Sequence, residues 1–320
     1  LLMDYLPPSV TQSLILFILM GAGYAAGKAG ILRGDTIKGM SRFLLDFTLP
    51  ALVIHSMQRP FSPELRNQAM SILGFSLIIY ATAFPMAYLL TGTYRKAGQR
   101  EKGVHRFAMC FSNVGFMGFP VAESLLGKES LFMVSVYNIP FQLLAFSVGT
   151  IMVAGRTNAT KGESFAASFI RTLRVGMNPA VIAAITGFVF FLLSVRIPEP
   201  LTTAVRLLGE TTTPLSMALI GAVLANTRLG PVVGSPRLWF TTGYRLVLHP
   251  LAVLAIARAV GLSGLELAVP VLMAAMPVAA NTTILAGVYG GDEVTASGLV
   301  FVSTAVSLLT IPILGGLIFV

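Results

Sequence analysis

Ten stretches of about twenty mostly apolar residues run almost end to end along the 320 residues, and no other feature narrows the fold as far. A helix crossing a hydrocarbon core of about 30 Å needs about 20 such residues. The windows fall at 9 to 27, 36 to 58, 68 to 93, 104 to 127, 130 to 154, 176 to 196, 201 to 226, 237 to 261, 266 to 289 and 294 to 319. They predict an all-α integral membrane protein with ten transmembrane helices. Length and lack of alternation exclude barrel strands. The first window has no basic segment before it, so it is expected to be a retained helix and not a cleaved signal. Composition agrees, because 55% of residues are hydrophobic and 11% charged, where a soluble domain carries about a quarter charged. The net charge of +9 resides in short clusters between apolar runs, which speaks for membrane topology and against a nucleic-acid partner. One cysteine, Cys110, and three separated histidines, His55, His105 and His249, offer no metal-binding spacing. His105, beside Arg106, is expected to be solvated, and Cys110 to be packing.

Lys and Arg counts in alternate loops set the orientation. One set holds fifteen: Lys28, Arg33, Lys38, Arg42, Arg95, Lys96, Arg100, Lys102, Arg106, Arg156, Lys161, Arg171, Arg174, Arg228 and Arg237. The other holds six: Arg59, Arg66, Lys128, Arg196, Arg206 and Arg258. The richer set is expected in the cytoplasm, with both termini outside it. A linker at 155 to 175 is expected to join two five-helix halves, 1 to 154 and 176 to 320. Asp46-Phe47-Thr48-Leu49-Pro50 in span two and Glu210-Thr211-Thr212-Thr213-Pro214 in span seven share the order acid, any residue, Thr, any residue, Pro. Five crossings per half make the second copy an inverted repeat, an arrangement of secondary carriers with a midplane site.

Spans four and nine carry helix breakers at their centres. Span four reads Ser112-Asn113-Val114-Gly115-Phe116-Met117-Gly118-Phe119-Pro120, and span nine reads Met276-Pro277-Val278-Ala279-Ala280-Asn281-Thr282-Thr283. Proline removes an amide donor and clashes with the preceding turn, and glycine lowers the cost of unwinding. An opened backbone in hydrocarbon survives only within protein or beside a water-filled cavity. The bland alternative is a pair of proline kinks in packed helices. If the broken ends meet, two half-helix N-termini aim amides at one point, which favours an anion. The expected substrate-binding set is therefore Asn113, Asn281, Ser112, Gly115, Pro120, Pro277 and Thr282. In span five, Pro140 is expected to break another hydrogen-bond ladder, with Asn138 and Gln142 on one face that either lines the cavity or packs between helices. Arg245 and His249 lie four apart in span eight. Arg245 holds a substrate carboxylate, neutralises an acid, or snorkels to the interface. Asp46 and Glu210 lie well inside their spans, where an ionised carboxylate is costly. With His249 they are candidates for coupling to H+ or Na+, against the alternative of acids bracing the scaffold through Thr48 or Thr212. No other cofactor is expected.

Asn113 with Gly118 and Pro120, Asn178-Pro179 opening span six, Pro214 with its small-residue tail through Gly221, and Pro277 with Asn281-Thr282 resemble the auxin efflux carrier family. Arg42-Phe43, Phe47, Pro50, Leu52 and His55 in span two are similar to its plant members, and the likeness covers essentially the whole chain. The resemblance implies ten helices in two inverted repeats with spans four and nine crossing, as in bile-acid symporters. It also implies elevator motion of spans three to five and eight to ten against a scaffold of spans one, two, six and seven, and a homodimer is a frequent family state. The implied substrates are small organic anions: indole-3-acetate in plants, malate or malonate in bacteria. Plant members carry a proline where this chain has Thr282, and a longer central loop.

No glycine-rich phosphate loop ending in Gly-Lys-Ser or Gly-Lys-Thr is present, nor a nucleophile triad or zinc-protease motif, so neither ATP-driven transport nor enzymatic activity is expected. The leading reading is a secondary carrier of small organic anions in the lipid bilayer. The alternatives are a sodium-coupled symporter, with Ser112, Asn281, Thr282 and Thr283 as oxygen ligands, and a membrane sensor that binds without transport.

Overall fold

The structure, a computed structural model, describes residues 8–154, 179–227 and 231–318. Every window read from the sequence falls on helix among these residues, and the linker at 155 to 175 lies outside them. The first half runs through α1 (Pro8–Lys28), α2 (Gly34–Phe43), α3 (Leu49–Met57), α4 (Pro63–Gly92), α5 (Gln99–Cys110), α6 (Phe119–Leu126), α7 (Ser130–Ala145) and α8 (Val148–Ala154). The second half runs through α9 (Pro179–Leu192), α10 (Leu201–Glu210), α11 (Thr212–Asn226), α12 (Pro236–Gly243), α13 (His249–Ala259), α14 (Gly264–Ala275), α15 (Thr282–Tyr289) and α16 (Glu293–Ile318).

Four helical stretches are long and apolar enough to cross a membrane: Pro63–Gly92, Leu201–Asn226, Pro236–Ala259 and Glu293–Gly316. The bent pair α7 and α8 makes a fifth. The other windows hold shorter helices, several of them divided by breaks. Local chemistry explains the longest: the Ser62 hydroxyl accepts the Leu65 amide at 3.1 Å as an N-cap, Pro63 takes the first turn, and α4 then runs 30 residues, through Pro85.

Three wide turns of π type, Leu44–Thr48, Val114–Gly118 and Tyr244–Leu248, each end two residues before a proline, Pro50, Pro120 or Pro250. In each, the residue just before the proline donates five back: Leu49 to Leu44, Phe119 to Val114, His249 to Tyr244. Proline cannot donate to the carbonyl four back and crowds it, so the turn widens to admit the ring. Pro140 lies inside α7, and span five bends further on, at Phe146–Ser147, by 41°. A proline inside a membrane helix forfeits one hydrogen bond, which the helix tolerates when neighbours pack the freed carbonyl.

Two packing groups emerge. α1 lies along α11, and α3 lies between α9 and α10. Close approach demands glycine there: a Cβ on Gly23 would stand 1.9 Å from the Ala218 carbonyl oxygen, and one on Gly221 1.9 Å from that of Met20. In the second group α4 packs on α5, α7 and α14, α13 on α14, and α16 on α15, α12 and α5.

Candidate functional site

Spans four and nine meet where both are broken. Ser112 and Val278 face each other in an antiparallel bridge: the Asn113 amide donates to the Pro277 carbonyl at 2.8 Å and the Ala279 amide to the Phe111 carbonyl at 3.2 Å. The Ser303 hydroxyl of α16 accepts the Val278 amide at 3.0 Å. Each opened stretch thus answers the backbone groups of the other, as a low-dielectric surrounding requires.

Beyond the bridge the chain re-enters helix on both sides. The Asn113 carboxamide oxygen accepts the Phe116 amide at 3.3 Å, capping the helical turn that leads into α6. Asn281 takes the corresponding place before α15, but its side-chain oxygen is shielded from solvent and has no hydrogen-bond partner among the described residues. Both asparagines line a cavity of two lobes that share Leu45, Asp46, Asn113, Phe116, Ala280 and Asn281. The smaller lobe, about 130 Å³, adds Ser112, Gly115 and Gln142. The larger, about 440 Å³, extends past Lys38, Arg42, Thr227, Thr283 and Thr304. Most of its remaining wall is aliphatic, so a few polar groups would orient whatever enters.

Of the expected substrate-binding residues, the fold brings Asn113, Asn281, Ser112, Gly115 and Gln142 to the cavity. Pro120 and Pro277 are buried and do not line it. Thr282 is fully buried, with its hydroxyl donating to the Ala279 carbonyl; its neighbour Thr283 faces the larger lobe. Asn138 is buried one turn before Gln142, outside the lining, and its side-chain oxygen has no partner among the described residues.

Arg245 neither snorkels nor reaches the cavity. It is 1% exposed and donates to three backbone carbonyls: Nε to Met276 at 3.2 Å, one terminal nitrogen to Met109 at 3.0 Å and the other to Ala274 at 2.9 Å. His249 is buried next to it, with Nδ1 unpartnered among the described residues. His105 is also buried, not solvated, and shares a 2.7 Å hydrogen bond with the Thr241 hydroxyl. Cys110 is buried as expected and reaches the Ala83 carbonyl.

The two acids are not the uncompensated buried carboxylates that their positions in sequence suggest. Asp46 accepts Arg42 Nε at 3.2 Å, is one-third exposed, and forms part of the wall shared by both lobes. Glu210 accepts from Lys128 at 3.3 Å and Arg206 at 3.2 Å, away from the cavity. Arg42 and Lys38, at the cavity wall, were not among the expected site residues; Asp46 four residues after Arg42, one helical turn, was the available signal.

A chain of apolar helices with two broken, paired spans beside a cavity has the build of a membrane transporter. The family model for membrane transport proteins matches residues 8–314, and the chain belongs to that family, the auxin efflux carriers that its motifs resemble. It is therefore a multi-pass membrane protein and a transporter, not an enzyme. Among relatives, a Rhizobium meliloti protein named "Putative malonate transporter" is 24% identical over 92% of this chain and 91% of its own length. An "Uncharacterized transporter" of Methanothermobacter thermautotrophicus is 26% identical over 95% and 97%. The Escherichia coli "Uncharacterized transporter YfdV" is 21% identical over 93% and 94%.

Proposed function

We propose that this protein is a secondary carrier of small organic anions, malonate-like carboxylates among them, that binds its substrate at the crossing of spans four and nine. One observation carries the reading: the two broken spans pair beside a cavity lined by Asn113 and Asn281, each at the start of a helical segment. Helix N-termini present amide hydrogens and partial positive charge, and the carboxamides add donors that turn to suit a carboxylate. The name of the Rhizobium relative agrees with a carboxylate substrate.

In this reading the ten helical windows are ten spans in two inverted repeats. The α1, α3, α9, α10 and α11 group is the scaffold, and the group around the crossing is the moving body. The larger lobe is lined by Lys38 and Arg42, two of the basic residues that the charge rule assigns to the cytoplasm. The cavity is then inward-facing, with both termini outside.

The test is uptake of labelled malonate, malate and indole-3-acetate into proteoliposomes by the wild type, Asn113→Leu and Asn281→Leu. The wild type is expected to take up at least one of these anions. Each variant should insert normally and lose affinity about tenfold or more, the cost of one charge-assisted hydrogen bond. Near-normal affinity in both variants removes the crossing as the binding site, and binding without flux favours a sensor.

A further inference from the structure

The two half-helices that stop at the crossing, α5 and α14, end in carbonyls with no amide of their own to meet. The carbonyls of Met109, Ala274 and Met276 all accept from one side chain, the guanidinium of Arg245. A helix C-terminus carries about half a negative charge, so two of them together balance about one cation. Arg245 makes no ion pair among the described residues; the other polar groups around it are Tyr80, Tyr137, Tyr244, Cys110 and His249. A fully buried arginine without a carboxylate is stable only where dipoles replace one. In carriers built on broken helices, half-helix C-termini and unwound carbonyls are where a coupling cation is coordinated.

We propose that Arg245 is a resident cation: its guanidinium occupies the place between half-helix C-termini that a coupling metal cation takes in carriers of this build. The crossing then assembles without sodium. Because Arg245 grips α5 and α14 together, it is also the positioning residue for the asparagines beyond the breaks, Asn113 and Asn281, which it does not touch. It reaches α5 and α14 from the wide turn Tyr244–Leu248, whose geometry is set by Pro250.

The test does not depend on which anion is carried, because its readout is the crossing itself. Cys110 is the single cysteine of the chain, the last residue of α5 and 3% exposed. Its alkylation by N-ethylmaleimide in the purified, detergent-solubilised carrier reports opening of that helix end. In the wild type the rate should be slow and the same in sodium, potassium and choline chloride. In Arg245→Met it should rise about tenfold or more, equivalent to about 1.4 kcal/mol, and fall again when sodium or low-millimolar guanidinium is added. Arg245→Lys, which returns a cation to the same carbonyls, should stay within about threefold of the wild type. Rescue by a small cation is what an arginine serving only as packing would not give. Wild-type protection that requires sodium overturns the proposal, as does a methionine variant unmoved by either cation. Should the methionine variant not fold, the lysine variant decides: one that unfolds or exposes Cys110 fully in choline overturns the proposal, and one that protects it there upholds it. Proteoliposome uptake of malonate is measured in parallel; absence of uptake with these cation effects intact counts against the substrate and not against Arg245.

Discussion

A carboxylate inside an apolar span is tolerated when a cation shares its surroundings, and Asp46 and Glu210 meet that condition in different places. Asp46 pairs with Arg42 at the cavity wall, through a contact whose partners are one-third and 85% exposed, so solvent leaves it worth about 1 kcal/mol or less. A pair that weak can open when a substrate carboxylate competes for Arg42 or when Asp46 takes up a proton. Glu210, with two cations and no place in the cavity lining, has no such exchange available. If a proton drives this carrier, Asp46 is therefore the residue to bind it. Asp46→Asn is expected to keep substrate exchange and lose accumulation driven by a pH gradient, whereas Glu210→Gln keeps both. Wild-type accumulation in the two single variants and the double variant would leave both acids as braces. Loss in Glu210→Gln alone would move coupling away from the cavity.

At the scale of elements, glycine sets how closely α1 and α11 approach. The contact of Gly221 with the Met20 carbonyl is backbone against backbone, so no rotamer can relieve an added methyl, and α1 and α11 must separate. Overpacking of this kind costs about 1–3 kcal/mol, more than the roughly 1 kcal/mol by which alanine is the better helix former. Gly221→Ala should lower the melting temperature of the purified carrier. Gly21→Ala, on α1 with nothing within 4 Å, should hold or raise it. An unchanged melting point in Gly221→Ala would show that the two helices are not in this contact. The breaks in spans four and nine were legible because Pro and Asn, with two glycines in span four, crowd together inside otherwise apolar windows. The bend of span five at Phe146–Ser147 was not legible, since neither residue is a helix breaker. The partners of Arg245 were not legible: they are carbonyls 29, 31 and 136 residues away, and backbone atoms leave no mark in residue identity. The burial of the acids was misjudged for a related reason, because span position does not reveal which face opens on a cavity.

For the whole molecule, the cavity and the contacts that close it fall at opposite ends. The larger lobe runs along α2 and the last turns of α11 to Thr227. Around the far end of α3, where α7 packs on α3 and α9 and α6 packs on α1, short polar links also join the two sides. The Ser56 hydroxyl lies 3.0 Å from that of Ser135 on α7, the Thr213 hydroxyl donates to Glu123 of α6 at 2.9 Å, and Lys128 reaches Glu210 at 3.3 Å. If transport moves one group against the other, these links must part when the site turns to the other side, while the glycine contacts of α1 with α11 persist. Ser56 and Ser135 make the decisive pair, because their hydroxyl oxygens already meet across α3 and α7 and a cysteine at each would bring two thiols together there. In a Cys110→Ala background, Ser56→Cys with Ser135→Cys should cross-link under oxidation and stop substrate flux. The trapped form should still bind substrate from the side on which the cavity opens, and a reductant should restore flux. A cross-linked carrier that transports at the reduced rate would mean that spans two and five travel together, and the boundary between scaffold and moving body would have to be drawn elsewhere.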